Sequence, residues 1–142
     1  MPPKPWEVLS SEWDRTYRVF HLRTDRARSP RTGKDHRFYV LESTDWVNVI
    51  PLTPEGEVVL IRQYRHGTRE NTLEIPGGLV EPGDTPEDAA RKELAEETGY
   101  RAREMTGLGY VHPNPAILNN RCHTFLARDV FPDGGQDQDE KE

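Results

Sequence analysis

The sequence predicts an α+β fold in which a mixed sheet of many short strands is covered by one well-marked helix. Three observations lead to this prediction. The chain has 142 residues, which suits one packed core and therefore a single domain, 1–142. Short apolar or alternating runs recur along it, each bounded by turn-forming residues. Only one segment carries both a start and a stop signal for a helix.

The N-terminal part, residues 1–43, is predicted to hold an arm and an antiparallel strand pair. Residues 1–11 include three prolines and are expected to be an extended arm. Arg15 to Arg23 alternates as a strand does, and the turn-forming residues 29–34 follow it. Phe38 to Leu41 is then the return strand.

The rest of the chain is predicted to form the main sheet. Turn residues 54–56 separate two of its strands, and the apolar run at 58–61 is typical of a central strand. Residues 132–142 are rich in Asp and Glu and are expected to be a mobile tail. No second helix that would cover the other sheet face is evident. The predicted strands are Trp46–Leu52, Val58–Ile61, Leu73–Ile75, Arg103–Val111 and Cys122–Val130.

The predicted helix runs from Pro86 to Thr98. Thr85 is a favourable N-cap, Pro86 suits the first helical position, and Asp88 occupies the capping-box position. Gly99 is placed to end the helix in the left-handed conformation.

Composition excludes several classes of protein. No apolar run approaches the roughly 20 residues of a membrane span, and the N-terminus lacks the apolar stretch of a secretory signal, so we expect a cytoplasmic protein. The net charge of −6 argues against a stable nucleic-acid partner. The single cysteine, Cys122, forms no internal disulfide and supplies no zinc pattern. Residues 15–37 are strongly basic and 81–97 mostly acidic, which fits either two solvated faces or a site for phosphates and a bridging cation.

Three glutamates of the helix are candidates for metal chemistry. At about 100° per residue, Glu93, Glu96 and Glu97 lie within roughly a 100° arc beside the apolar stripe. Their mutual repulsion and the helix dipole both disfavour this arrangement, and a divalent cation would reverse both effects. Oxygen ligands of this kind suit Mg²⁺ or Mn²⁺. The alternative is a solvated glutamate-rich helix. The loop before it contains Gly77 and Gly78, which either form an ordinary turn or bring a backbone carbonyl close to the carboxylates.

Residues 78–100 together resemble the box of the Nudix hydrolase superfamily. In that pattern a glycine is followed by five residues, an acid, seven residues and then Arg-Glu-apolar-x-Glu-Glu-x-Gly-apolar. Gly78 and Asp84 stand at the required interval, followed by Lys-Glu-Leu-Ala-Glu-Glu-Thr-Gly-Tyr at 92–100. Asp84 replaces the usual Glu and Lys92 the usual Arg, and a lysine lacks the planar fork that orients carboxylates. Arg91 is expected to face elsewhere.

The resemblance implies a Nudix-type α/β/α sandwich and assigns roles to residues. Glu93, Glu96 and Glu97 would be catalytic and ligate Mg²⁺ or Mn²⁺, together with the carbonyl of Gly77, and Lys92 would support them. The flanks are similar to the ADP-ribose and nucleotide-sugar pyrophosphatases, with Leu-Ile-Arg-Gln-Tyr-Arg at 60–65, Leu-Glu-Ile-Pro-Gly-Gly at 73–78, and Pro115. The substrate-binding residues implied are Arg65, Arg62, Trp46 and Pro115. The alternative for the two arginines is a charge on the surface at a strand end. Trp46, His112 and His123 could line a nucleotide pocket or serve only in packing.

The function expected from this resemblance is hydrolysis of the diphosphate bond in ADP-ribose or a nucleotide sugar. A general base on a loop after the box would correspond here to a tail acid, such as Glu140 or Glu142. The N-terminal strands are expected to pair with a second subunit, which gives a homodimer. Two alternatives remain open. One is a Nudix enzyme for dinucleoside polyphosphates, capped RNA or damaged triphosphates, and the other is a nucleotide-binding module without catalysis.

Overall fold

The architecture comes from a computed structural model that describes residues 2–135. Within these residues the chain forms eleven β-strands and one α-helix. In chain order they are β1 (Glu7–Thr16), β2 (His21–Arg28), β3 (Asp35–Glu42), β4 (Trp46–Pro51), β5 (Ile61–Arg65), β6 (Glu70–Glu74), β7 (Gly77–Leu79), α1 (Pro86–Thr98), β8 (Tyr100–Arg101), β9 (Glu104–Val111), β10 (Cys122–Arg128) and β11 (Phe131–Pro132).

Residues 2–135 divide into two compact units. The first contains residues 2–44 and 112–120, and the second contains 45–111 and 121–135. The Nudix-like box therefore lies wholly in the second unit, whereas the predicted arm and strand pair lie in the first.

The first unit is an antiparallel sheet of three strands in the order β1-β2-β3. The prediction of a continuous strand from Arg15 to Arg23 is wrong, because β1 ends at Thr16 and β2 begins at His21. The N–H of Tyr17 donates to the carbonyl of Phe20 at 2.8 Å, and the two rings lie 4.8 Å apart. This turn interrupts the alternation, and much of the expected N-terminal arm is strand β1. The predicted strand pair thus gains a third strand.

A partly buried ion pair lies in the middle of this sheet. Asp25 is only 9% exposed and receives two hydrogen bonds from the guanidinium of Arg23, at 2.8 and 2.9 Å. Arg23 also pairs with Glu42 of β3. The hydrogen bond from Arg23 outweighs the effect of burial and lowers the pKa of Asp25 below its usual value. Asp25 therefore remains charged and orients the Arg23 guanidinium, which links β2 to β3 through Glu42.

The second unit is built on a mixed sheet in the order β7-β4-β10-β9, in which β4 and β10 are parallel and the other pairs antiparallel. The alternation of β4 buries Val47, Val49 and Pro51 on one face. Helix α1 covers that face. The apolar core consists of Val47, Val49, Ala89, Ala90, Leu94, Phe125, Ala127 and Val130.

The apolar run at 58–61 does not form the central strand that its composition predicts. Val58 and Leu60 are 44% and 43% exposed, and Val58 makes only an isolated bridge with Leu52. Strand β5 begins at Ile61 and pairs with β6 as a separate hairpin. The central positions belong to β4 and β10, whose buried residues alternate along each strand.

Helix α1 has the bounds that its end signals predict. The Thr85 side chain accepts from the backbone N–H of Asp88, and the Asp88 carboxylate accepts from the backbone N–H of Thr85. Gly99 ends the helix with φ of 72°, a left-handed conformation that glycine adopts without strain.

The predicted α+β class is confirmed, with a mixed sheet and an antiparallel N-terminal sheet. Residues 2–135 contain one helical layer, on the face of β4 that carries Val47 and Val49. In this part of the chain no helix has the length and apolarity needed to cross a membrane. The predicted mobile tail starts at residue 132, but Pro132 belongs to β11 and Asp133 forms an ion pair with Arg101. The rest of that tail, from 136 onward, lies outside the described residues.

Candidate functional site

The candidate site lies where helix α1 packs against the edge strand β7. The buried stripe of the helix consists of Ala89, Ala90, Leu94 and Glu97, so a carboxylate takes a position otherwise filled by apolar side chains. Glu97 is 3% exposed. A buried carboxylate requires hydrogen-bond partners, because desolvation strongly disfavours an unpaired charge.

Gly77 supplies such a partner. Its backbone N–H donates to the Glu97 carboxylate at 2.8 Å. A side chain at Gly77 would collide with the backbone carbonyl of Val47 and would lie 3.0 Å from the Cα of Asn48. Only glycine therefore allows β7 to lie this close to β4.

The strand register explains why the Gly77 N–H is available to Glu97. Gly77 is opposite Asn48, while the Val49 N–H donates to the Pro76 carbonyl at 2.9 Å. In an antiparallel ladder, hydrogen-bonded and non-hydrogen-bonded pairs alternate, so Gly77 and Asn48 form a non-hydrogen-bonded pair. Both polar backbone groups of Gly77 consequently point away from β4.

Gly78 places the second carboxylate. A Cβ atom at Gly78 would lie within 2.8 Å of both carboxylate oxygens of Glu93. The Glu93 side chain therefore lies against the backbone of Gly78. Gly78 directly follows Gly77, whose N–H donates to Glu97. The sequence indicated that these glycines allow close approach, and the structure shows that each accommodates a different contact.

The donor set suits a hard divalent cation, because it consists of carboxylate and backbone oxygen atoms. Glu96, the third glutamate, is half-buried on the same helix. Across residues 2–135, however, no three Asp, Glu, His or Cys side chains converge as a metal site. Mutual repulsion of carboxylates favours this separation. Glu93 and Glu97 nevertheless approach the same backbone segment. Glu97 accepts from the Gly77 N–H, and Glu93 lies where a side chain at Gly78 would be.

Lys92 is exposed and forms an ion pair with Glu81 in the loop between β7 and α1. The hydrogen bond with Glu81 raises the pKa of the Lys92 ammonium above its usual value. Arg91 faces elsewhere, as expected: it binds the Glu87 carboxylate at 2.8 Å and the Ala102 carbonyl at 3.1 Å. Lys92 thus links the box loop to the helix.

The two candidate substrate arginines lie on the β5–β6 hairpin. Arg62 is exposed, and Arg65 makes two hydrogen bonds to the Glu74 carboxylate, at 2.8 and 2.7 Å. The hydrogen bond from Arg65 is the main reason that the pKa of Glu74 falls to about 2. The guanidinium of Arg65 is therefore already oriented by a carboxylate in the protein.

The remaining candidates lie in different parts of the chain. Trp46 begins β4 and is 38% exposed, while Pro115 belongs to the first unit, in an exposed loop. Glu142, the candidate general base, lies outside the described residues, as does Glu140.

One pair in the second unit was missed by the sequence prediction. Asp45 accepts from Nε2 of His123 at 2.9 Å and from the backbone N–H of Arg121 at 2.9 Å. Partial burial works against ionisation of Asp45, but these hydrogen bonds outweigh it and lower its pKa. Tyr110 adds a ring contact to His123 at 5.6 Å. The only signal was positional, since Asp45 precedes β4 and His123 lies in the parallel strand beside it.

Comparisons with known proteins give several relatives of this chain. The chain is 33% identical over 98 residues to ADP-ribose pyrophosphatase of Bacillus subtilis, which covers 69% of this chain and 53% of that protein. It is 31% identical over 126 residues to a methanol dehydrogenase activator of Bacillus methanolicus, covering 87% of this chain and 68% of that protein. It is also 38% identical over 98 residues to the ADP-sugar pyrophosphatase of Mus musculus, covering 66% and 45%. The chain thus spans between about half and two thirds of the length of these curated relatives.

A solved structure shares the fold. It is a crystal structure of an ADP compounds hydrolase, with a TM-score of 0.84 and 24% identity, and the match covers 100% of this chain and 76% of that one. The NUDIX domain matches residues 42–142, well over half of the sequence. On these grounds the chain belongs to the NUDIX domain family.

Proposed function

We propose that this chain is a pyrophosphohydrolase that cuts the diphosphate bond of ADP-ribose or a nucleotide sugar. The products are a nucleoside monophosphate and a sugar phosphate. The observation that carries the proposal is the pairing of two helix carboxylates with two adjacent glycines, Glu97 with Gly77 and Glu93 with Gly78. Burying a glutamate costs a helix desolvation free energy, and a cation bound at this point would offset that cost.

The proposed metal donors are the carboxylates of Glu93, Glu96 and Glu97 and the carbonyl of Gly77. The Gly77 carbonyl is included because both backbone groups of Gly77 point away from β4. Mg²⁺ is the proposed ion and Mn²⁺ the alternative, since both prefer oxygen ligands. When bound, such an ion neutralises phosphate charge and lowers the pKa of water.

The protein's own residues position the substrate. Arg65, on the β5–β6 hairpin, is proposed to contact the diphosphate, with Arg62 as a further cation. The carboxylate of Glu74 holds the Arg65 guanidinium in one orientation, which reduces the entropy lost on binding. Trp46 offers an exposed indole for a base or sugar, and Pro115 is proposed as a further substrate contact. Lys92 supports the box loop through Glu81. The general base is assigned to Glu142.

The names of the relatives support the class of substrate. The proteins from Bacillus subtilis and Mus musculus are named for ADP-ribose and ADP-sugar pyrophosphatase activities. Purified protein with Mg²⁺ is to be incubated with ADP-ribose, several nucleotide sugars, a dinucleoside polyphosphate and dGTP, and the products separated by ion-exchange chromatography. We expect AMP and ribose phosphate from ADP-ribose. Turnover of dGTP or the dinucleoside polyphosphate alone would contradict the proposed substrate, and no turnover at all would favour a nucleotide-binding module.

A single substitution tests the role of the buried glutamate. Glu97→Gln keeps an oxygen that accepts from the Gly77 N–H but removes the charge, so we expect the fold to survive and kcat to fall at least about 100-fold. Glu87→Gln is the matched control, because Glu87 lies on the same helix, is exposed and pairs only with Arg91 among the described ion pairs. Near-wild-type turnover in Glu97→Gln would remove Glu97 from the mechanism.

We also propose that the chain forms a homodimer through its N-terminal sheet. That sheet exposes large apolar side chains, including Trp13 at 63% and Tyr39 at 59%. Exposed apolar residues of this size are often covered by a partner. Light scattering on purified protein is expected to give twice the mass of 16.4 kDa, and a monomer mass across the micromolar range would contradict it.

A further inference from the structure

A cleft in the first unit lies between the start of the chain and the turn that joins β2 to β3. Its volume is about 620 Å³, which is within the range of small-molecule sites. Trp6 and His36 form part of its wall, and Lys4, Arg31 and Lys34 also line it. None of these residues belongs to the Nudix-like box or to the candidate site of the second unit.

The three cations of this cleft, Lys4, Arg31 and Lys34, form no ion pair with any residue between 2 and 135. The carboxylates nearest in sequence, Asp35 and Glu7, both form ion pairs with Arg28, at 2.8 and 3.9 Å respectively. Three positive charges around one concave surface attract an anion, and the low-dielectric walls strengthen the attraction.

The turn that carries two of these cations is internally braced. Ser29 is 5% exposed, and its Oγ accepts from the backbone N–H groups of Arg31 and Thr32 at 3.3 Å each. Its own N–H donates to the Lys34 carbonyl at 2.9 Å, and its carbonyl accepts from the Gly33 N–H at 2.9 Å. Arg31 and Lys34 therefore stand on a fixed backbone, which lowers the entropy lost when they bind a ligand.

The apolar part of the cleft is an oriented indole. Trp6 makes edge-to-face contacts with His36, at 5.5 Å and 79°, and with Phe38, at 5.1 Å and 84°. These contacts fix the ring, yet 43% of the residue is still exposed. An exposed aromatic ring can stack on a planar group. Any nucleobase can stack in this way, because every base has a π-face.

We propose that this cleft binds a nucleoside polyphosphate, with its phosphates at Lys4, Arg31 and Lys34 and its base against Trp6. None of the proposed catalytic residues lines this cleft, and binding there requires no divalent cation. Binding at the cleft is therefore independent of the hydrolase assignment. Arginine supplies bidentate hydrogen bonds to phosphate, and the two lysines supply point charges. A ligand without phosphates leaves the cations unused, and a ligand without a base leaves the indole unused.

The test uses the full chain with Trp13→Phe and Trp46→Phe, so that Trp6 is the only tryptophan. ADP is titrated in EDTA while Trp6 fluorescence is followed, with adenosine, inorganic triphosphate and a short single-stranded RNA as further arms. We expect saturable quenching by ADP, weaker binding of adenosine, and competition by triphosphate. Raising KCl is expected to weaken ADP binding, because screening reduces the attraction between charges.

In the same background, Arg31→Ala with Lys34→Ala is expected to weaken ADP binding by about 10-fold or more. The matched control is Arg18→Ala with Arg128→Ala, which removes two exposed positive charges outside the cleft and is expected to leave binding unchanged. Equal loss in both double variants would show a net-charge effect and overturn the proposal. So would undiminished binding in the cleft variant, no saturable quenching, equal affinity for adenosine, or binding of RNA without ADP.

Discussion

At the scale of single residues, Gly77 and Gly78 have opposite tolerances although they are neighbours. The atom that blocks a side chain at Gly77 is a backbone carbonyl, that of Val47, whereas at Gly78 it is the end of the flexible Glu93 side chain. A backbone obstacle forces the strand to move, and a side-chain obstacle rotates away. The first glycine thus serves the packing of β7, and the second serves the position of a carboxylate.

This difference predicts separate phenotypes for two alanine substitutions. Gly77→Ala is expected to lower the free energy of unfolding by about 1–3 kcal/mol, as overpacking does. Gly78→Ala is expected to leave stability nearly unchanged but to reduce kcat by about 100-fold, because a displaced catalytic group loses its alignment. Urea denaturation and turnover of ADP-ribose measure the two quantities. If Gly78→Ala retained full activity, the position of Glu93 against Gly78 would have no catalytic meaning.

At the scale of elements, the β5–β6 hairpin is joined by the ion pair of Arg65 with Glu74. The pKa of Glu74 is about 2 in the folded chain, against an ordinary 4.5. Because the folded pKa is lower than the unfolded one, the ion pair stabilises the fold above about pH 4.5. This contribution is lost as the pH falls from there towards 2.

Glu74→Gln is therefore expected to lower the free energy of unfolding by about 1 kcal/mol at pH 7, a value reduced for the solvent exposure of both partners. The difference from wild type should shrink between pH 4.5 and 2. Urea denaturation across this range provides the measurement. Glu70→Gln is the control, since Glu70 is exposed on the same strand. A pH-independent difference would show that Glu74 acts through packing instead of charge.

The capping box of α1 gives a second prediction for an element. Thr85→Ala removes the oxygen that accepts from the Asp88 N–H, at 3.2 Å, and is expected to cost about 1 kcal/mol of stability. Thr85→Ser keeps that oxygen and is expected to lose much less. Thermal unfolding followed by circular dichroism compares the two variants. Equal losses would mean that the methyl group, and not the cap, matters at this position.

At the scale of the whole molecule, the sequence predicted best where local signals agree with each other. Helix α1 has a cap, a proline and a terminal glycine that all specify the same bounds, and the structure has those bounds. The strands β4, β9 and β10 were also found from their patterns. The α+β class and the family followed from these elements and from the spacing of the box.

The sequence predictions fail where contacts that form only in the folded chain determine the structure. Residues 15–23 alternate like a strand, yet the contact of Tyr17 with Phe20 closes a turn there. The run at 58–61 is apolar enough for a core strand, but β10 occupies the central place beside β4. Asp45 and His123 are 78 residues apart, and only the parallel pairing of β4 with β10 brings them together. A local pattern contains no information about such pairings.

The candidate site was also only partly predictable from the sequence. The box spacing placed Glu93 and Glu97 on one helix, but it did not show that Glu97 is buried or that Gly77 donates to it. Those features depend on how closely β7 approaches β4. Arg65 was predicted as a substrate contact, and its orientation by Glu74 became evident only from the hairpin.

The central claim is that the end of helix α1 binds a divalent cation, and a calorimetric titration with Mn²⁺ tests it most directly. Wild-type protein and Glu87→Gln are expected to bind Mn²⁺ with similar affinity, whereas Glu97→Gln should bind at least about 10-fold more weakly, because affinity follows the charge of the ligand set. Identical binding by Glu97→Gln and wild type, or no binding by any of the three, would contradict the claim.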